Sequence, residues 1–222
     1  MQEGVLTYDM EERLIKSDER VKDHGEVYTP KHIVDDMLEL VKDESYRLDS
    51  TFLEPAAGNG NFLVEILRRK LETAKELGKG QLDRNTFIAV TSIYSIDILM
   101  DNVMESKERM KGVITKAYGD IGVELSEEMI GTINYVMDKN IIWGNTLEGK
   151  RQDTEEDIEI IEWEMDGDSV TRKVYNFKYI GHGMLGETPI REYEPIDFRK
   201  LGNTGKKRRR RKRRSVNLID EL

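Results

Sequence analysis

An α/β fold organised around a parallel sheet is predicted by three features of this 222-residue chain. Short apolar strand-like runs alternate with longer stretches of helical period, which implies a sheet with helices on both faces. The first such strand ends in a turn containing two glycines that opens directly into an apolar-periodic helix. After residue 157 the pattern changes to two β-rich runs flanking Asp166-Gly167, a hairpin signal.

Taken in order, residues 1–23 are polar with a weak helical pattern (Leu6, Met10, Leu14, Ile15) and read as a helical lead-in. Thr29 followed by Pro30 predicts an N-cap and first helical position. Val34 and Leu38, with Ile33, Met37 and Val41, give that helix an apolar face. A strand over 51–54 precedes a helix carrying Phe62, Leu63, Ile66, Leu67, Leu71 and Ala74, with Gly78 as its C-terminal stop. The β-branched and aromatic stretch 86–98 reads as a long strand closing on Asp97. Helices are predicted over 100–117 and after Ser126, and a third strand over 140–143. From Gly181 onward no period stands out. The domain organisation expected is therefore a lead-in (1–23), one α/β domain (24–180), an irregular extension (181–205) and a C-terminal arm (206–222).

Composition narrows the class. The chain has no cysteine, which excludes disulfides and thiol catalysis. No apolar run reaches the ~18–20 residues of a membrane span and no signal-peptide core is visible, so a cytoplasmic protein away from membranes is expected. His24, His32 and His182 have no ligand-like spacing, and no metal site is expected. The net charge of −9 conceals an asymmetry. Lys206, Lys207, Arg208, Arg209, Arg210, Arg211, Lys212, Arg213 and Arg214 are consecutive; without them 26 basic residues face 44 acidic ones, a formal −18. Such a block self-repels and seeks polyanions, so DNA or RNA is the expected partner of the arm.

The turn Phe52-Leu53-Glu54-Pro55-Ala56-Ala57-Gly58-Asn59-Gly60-Asn61-Phe62-Leu63 carries the most chemistry. A strand, a glycine turn and a helix N-terminus gather backbone N–H groups into a cradle for a polar ligand. Its string resembles the first motif of the adenine-N6 DNA methyltransferases, Asp-Pro-Ala-Cys-Gly-Ser-Gly-x-Phe-Leu, which holds S-adenosylmethionine (SAM). Three further elements resemble that family in its own order. Tyr28-Thr29-Pro30 is similar to the element beside the methionine end of the cofactor. The segment 92–98, ending in Asp97 and Ile98, is similar to the second strand, whose acidic residue grips the ribose. Asn145 and Thr146 stand in the third motif, at the adenine edge. The resemblance spans about 21–149, and its layout is similar to that of type I modification subunits and fused restriction–modification enzymes. It implies a Rossmann-like SAM-dependent methyltransferase fold. The cofactor residues it implies are Tyr28, Thr29, Pro30, Glu54, Pro55, Ala56, Gly58, Gly60, Asn61, Phe62, Asp97, Ile98, Asn145 and Thr146.

The family's catalytic tetrad, Asn/Asp-Pro-Pro-Tyr/Phe, is missing. The four prolines (Pro30, Pro55, Pro189, Pro195) are never adjacent. In the stretch where the tetrad belongs, only Glu162, Trp163 and Glu164 offer an acceptor and a stacking ring; an ordinary hairpin strand, with Trp163 inward, competes with that reading. The resemblance thus implies a SAM-binding DNA adenine methyltransferase-like protein of a restriction–modification or phage system. It is either divergent or one part of an assembly with a separate specificity or catalytic subunit. The competing reading is a catalytically inactive protein that sequesters SAM or contacts nucleic acid or a partner enzyme. Methylation of RNA or protein ranks behind both.

Overall fold

A computed structural model of the chain describes residues 14–179 and 188–204. In chain order the elements are α1 (Asp18–His24), α2 (Lys31–Glu39), α3 (Lys42–Tyr46), β1 (Phe52–Glu54), α4 (Asn61–Glu76), α5 (Leu82–Thr91), β2 (Ile93–Asp97), α6 (Met100–Asp120), α7 (Glu127–Asn140), β3 (Ile141–Asn145), β4 (Lys150–Arg151), β5 (Glu159–Asp166), β6 (Ser169–Asn176) and β7 (Arg191–Asp197). The chain is a mixed α/β structure with two sheets. The first has the order β1-β2-β3-β4, with β1, β2 and β3 parallel and β4 antiparallel at one edge. Glu54 pairs with Ser95 and Asp97 with Trp143, so each strand runs two residues past the end of the one before it, ending at Glu54, Asp97 and Asn145 in turn. Among the described residues no helix is long and apolar enough to cross a membrane.

The sheet buries its faces against different partners. On one side α4, α5, α6 and α7 supply Leu63, Leu67, Leu71, Phe87, Met110, Ile114 and Val136, all buried. Burying each such side chain contributes about 1.5–3 kcal/mol, the main force holding this layer. On the other, Ile96 and Ile142 pack with Ile158, flanked by Ile160 and Phe177, where the chain enters the second sheet. That antiparallel sheet, β5-β6-β7, begins with the expected hairpin: Asp166 pairs with Ser169 around Gly167, whose φ of +59° suits glycine.

Three expectations are corrected. The stretch 86–98 is not one strand: Leu82–Thr91 is helical and only Ile93–Asp97 is extended. Asn85, Thr86, Phe87, Ala89, Val90 and Thr91 are all buried, so the helix is enclosed on most sides and shows no amphipathic period, while its β-branched residues mimic a strand. Thr29 does not cap α2: Pro30 occupies the cap position without a side-chain bond, and the Thr29 carbonyl accepts from Asn61 Nδ2 at 2.8 Å. Within the expected extension 181–205, the described residues 188–204 are not an irregular appendage beyond a domain ending at 180. β7 pairs with β6, Phe198 stacks 4.9 Å from Phe87, and Phe198 and Leu201 are fully buried. The 1–13 part of the lead-in and the arm 206–222 lie outside the described residues.

Lys70 joins α4 to the chain entering β1 and β2. It is fully buried, and its Nζ donates to the carbonyls of Leu48 (3.0 Å) and Ser50 (2.5 Å) and to Ser92 Oγ (2.7 Å), with the Phe52 ring 5.3 Å away. Burial lowers its pKa to about 7, while the three acceptors favour the charged form. Between about pH 7 and the ordinary lysine range the unfolded chain then binds more protons than the folded one, so stability rises with pH. Raising the pH from 7 to 9 should add about 1–2 kcal/mol to the free energy of unfolding, and Lys70→Met should flatten that rise. Urea titrations of both proteins across this range provide the check; identical slopes would remove Lys70 as the cause.

Candidate cofactor site

The carboxyl ends of β1, β2 and β3 open into a cavity of about 390 Å³. In open α/β sheets this end collects the loops that follow the strands, and here three such loops converge. After Glu54 the chain makes a tight turn in which the Ala56 N–H donates to Glu54 Oε1 at 3.2 Å. Gly58 and Gly60 follow with φ of +52° and +86°, and α4 begins at Asn61 with Gly60 as its N-cap and no side-chain cap. The first N–H groups of α4 are thus left without a capping side chain.

Asp97 ties the second loop to the first. Its Oδ2 accepts from the Gly58 N–H at 2.7 Å and its Oδ1 from the Leu99 N–H at 2.8 Å. The carboxylate is buried, and that burial raises its pKa, against the pull of the Leu99 and Gly58 N–H groups. Glu54 is raised as well, by burial first and by the nearby Asp97 charge. The Asp97 carboxylate on the crevice wall is a receptacle for hydroxyl donors, with Glu54 behind it. Ile98 (43% exposed) and Leu147 (98% exposed) form an apolar rim beside it.

A buried polar network seals the side nearest α1. Tyr28 lies against Gly58, where a Cβ would sit 3.0 Å from its ring. Its hydroxyl donates to Asn102 Oδ1 at 3.0 Å; Asn102 Nδ2 donates to Glu26 Oε1 at 2.6 Å and reaches Asp97 Oδ1 at 3.4 Å. Arg20 forks onto Glu26 (2.6 and 2.7 Å) and binds Asp101, which Lys16 also holds. Burial, the largest single effect, pushes the Glu26 carboxyl up, but the Arg20 guanidinium, together with the Asn102 and Tyr28 hydrogen bonds, holds it below its ordinary range.

Of the residues singled out from sequence, Tyr28, Pro55, Ala56, Gly58, Asp97, Ile98, Asn145 and Thr146 line this cavity. Thr29, Pro30, Glu54, Gly60, Asn61 and Phe62 stand behind it and shape the turn and the start of α4. Asn145 is differently engaged than expected. Its Oδ1 accepts from the N–H groups of Leu147 (3.0 Å) and Glu148 (3.3 Å), so the amide oxygen holds its own turn and leaves Nδ2 as the group to offer a ligand. Thr146 Oγ1 donates to the Pro55 carbonyl at 2.5 Å and closes the third loop onto the first. Sequence reasoning missed Glu26, Val27, Leu99, Asn102 and Leu147 on the cavity wall. Asn102 carried a usable signal, a polar residue one position before Val103 on the inward stripe of α6. Val27 and Leu147 lie inside the stretches 25–30 and 140–147 that resemble the family's motifs, though neither was singled out.

Glu162, Trp163 and Glu164 are not at this site. They lie on β5, which meets the opposite end of the parallel sheet: Trp163 Nε1 donates to Asn140 Oδ1, just before β3 begins, at 3.1 Å. The Trp163 ring packs edge-on against Phe87 (6.2 Å) and Tyr135 (6.3 Å). Glu162 accepts from the Tyr175 hydroxyl, and Glu164 pairs with Lys173. The alternation that turns Trp163 inward and both glutamates outward is that of an ordinary sheet strand. Among the described residues, no three His, Cys, Asp or Glu side chains gather in a metal-binding group.

Comparison with known proteins adds one finding. Residues 7–104 match the model of the family described as N-6 DNA Methylase. No curated protein and no solved structure gives a significant match. The matched stretch contains the Tyr28 network, the glycine turn and Asp97, and ends in the first turn of α6. Over residues 7–104 this match supports a relationship to the adenine-N6 DNA methyltransferase family.

Proposed function

We propose that this protein binds SAM in the cavity at the carboxyl ends of β1, β2 and β3, as the cofactor-holding part of a DNA adenine methyltransferase. The observation that carries the reading is the bond from the Gly58 N–H to Asp97, which unites two of the family's elements in one crevice. The sheet order supports a Rossmann-like arrangement, with parallel strands joined through helices and the ligand crevice beyond their ends. Asp97 would meet the ribose hydroxyls, Ile98 the adenine face and the start of α4 the charged end of the methionine moiety. Bound SAM supplies an electrophilic methyl group; the residues here orient it and shield it from water.

The acceptor side of the reaction is the open half. An adenine N6 needs groups that take its hydrogens and a ring that stacks the base, and the chain has no adjacent prolines to carry the family's tetrad. Among the described residues β1 pairs only with β2 and so forms an edge of its sheet, with Leu53 41% exposed. An edge strand accepts a further strand, which favours the assembly reading over a divergent site within this chain. Labelled SAM with mixed DNA, alongside a calorimetric SAM titration, separates the readings. The expected result is saturable SAM binding with base methylation weak or absent until a partner is added. Robust methylation by the chain alone would overturn the assembly reading, and absence of any SAM binding would overturn the cofactor site itself. Saturable binding with no methylation under any partner leaves the non-catalytic reading.

The arm carries a separate proposal: Lys206 to Arg214 contact nucleic-acid phosphates with little sequence preference. About five to seven neutralised phosphates give a salt slope of roughly −4 to −6 on duplex DNA. Deleting 206–222 should abolish that binding and leave SAM affinity unchanged. A truncated chain with the same slope would move the nucleic-acid surface onto the folded part.

A further inference from the structure

A second cavity, of about 470 Å³, lies between α7 and the β5-β6-β7 sheet and shares no lining residue with the cofactor crevice. Its floor contains an unusual side chain. On the inward face of β6, Val170 and Val174 are buried as an alternating strand requires, and between them Arg172 is only 7% exposed. Its Nη1 donates to the Tyr135 hydroxyl at 2.6 Å, and the guanidinium lies over the rings of Tyr193 (4.5 Å) and Tyr135 (5.8 Å). Its Nε is buried with no hydrogen-bond partner, and among the described residues it forms no ion pair. A buried guanidinium without a counter-charge costs several kcal/mol, so a fold that keeps one has a use for it or an anion to set against it.

The other charges on the wall are largely matched. Asp157 is held by Lys150 (2.6 Å) and Lys178 (2.9 Å), Glu159 by Arg191, and Arg151 by Asp153 with Glu156 nearby. Lys139, exposed at the end of α7, adds a cation at the mouth. Tyr193, 40% exposed, offers a ring beside the guanidinium. Arg172 is therefore the cation left for a ligand, with a planar surface next to it. Arginine presents parallel N–H donors that fit phosphate oxygens, and tyrosine stacks on a base or sugar. In sequence, the nine cations of the arm begin two residues after Thr204, which also lines this cavity.

We propose that this cleft binds the phosphate group of a nucleotide, free or within a nucleic-acid strand, with Arg172 as its main ligand and Lys139 as a second. The site is separate from the SAM crevice, so the proposal stands or falls independently of the cofactor reading. The test is calorimetric titration of the full chain with thymidine 5′-monophosphate and with a short oligothymidylate, each in saturating S-adenosylhomocysteine to keep the other crevice out of play. The wild-type chain should bind the monophosphate saturably. Arg172→Gln should weaken that binding about tenfold or more, and Lys139→Gln about twofold to fivefold, with the Lys139 variant melting like wild type. A parallel loss for the oligomer assigns the strand as the source of the phosphate; a loss confined to the monophosphate assigns a free nucleotide. Should Arg172→Gln fail to fold, the exposed Lys139 variant decides. No saturable monophosphate binding, or equal affinity in wild type and Lys139→Gln together with every folded Arg172 variant, overturns the proposal.

Discussion

With SAM bound as proposed, Asp97→Ala should remove nearly all of the stabilisation from that ligand and should also weaken the protein without it. The two effects have different sources. Asp97 accepts the partly buried N–H groups of Gly58 and Leu99, and alanine leaves both without their partner. An orphaned buried donor costs about 1–3 kcal/mol; relief of the buried charge offsets part of the sum, for a net loss of about 2–3 kcal/mol. Ligand at ~100 times its dissociation constant adds ~2.7 kcal/mol to the wild-type chain, and this increment should be absent in the variant. Urea unfolding with and without ligand separates the two contributions. An intact ligand increment in Asp97→Ala would show that the crevice does not use this carboxylate.

Gly60→Ala comes second in magnitude, with an expected loss of about 3 kcal/mol. Gly60 has φ of +86°, a conformation that costs a side-chain-bearing residue about 1–3 kcal/mol. A Cβ there would also lie 2.6 Å from Ser106 Cβ and 3.1 Å from Ser106 Cα, so α4 and α6 must part, at about 1–3 kcal/mol more. Adding Ser106→Gly should recover only part of the packing loss, since the contact with the residue-106 Cα remains, and should leave the conformational part; the two positions are in contact and their effects are not additive. At Gly58 the nearest atoms belong to the ring of Tyr28, so Gly58→Ala meets a side chain where Gly60→Ala meets backbone as well. Equal stability of Gly60→Ala and wild type in chemical denaturation would refute this account of the turn.

The elements most legible in sequence were those whose signals are local. Ser126 caps α7 by accepting from the Met129 N–H at 3.2 Å, Gly167 turns the hairpin, and the glycines after Glu54 take the positive φ expected of them. Each depends on a few adjacent residues, whose backbone preferences the sequence displays directly. Illegible stretches were those whose neighbours come from far along the chain. Leu82–Thr91 looks like a strand by composition, yet it is helical because α4, α7 and the 198–201 segment enclose it; no local pattern records that enclosure.

The site divides along the same line. The sequence by itself determined that a glycine turn opens into a helix, that an acidic residue ends the second strand, and that no adjacent prolines follow. Only the tertiary structure decided which atoms those residues offer. It turned the Asp97 carboxylate onto the Gly58 backbone, committed the Asn145 oxygen to its own turn, and brought Glu26 and Asn102 together across 76 positions. It also placed Trp163 beside Asn140, at the far end of the sheet from the crevice. Backbone preference is local and can be read along the chain, whereas the partner of a polar side chain is whichever group packing brings within about 3 Å, and packing is settled by the whole core at once.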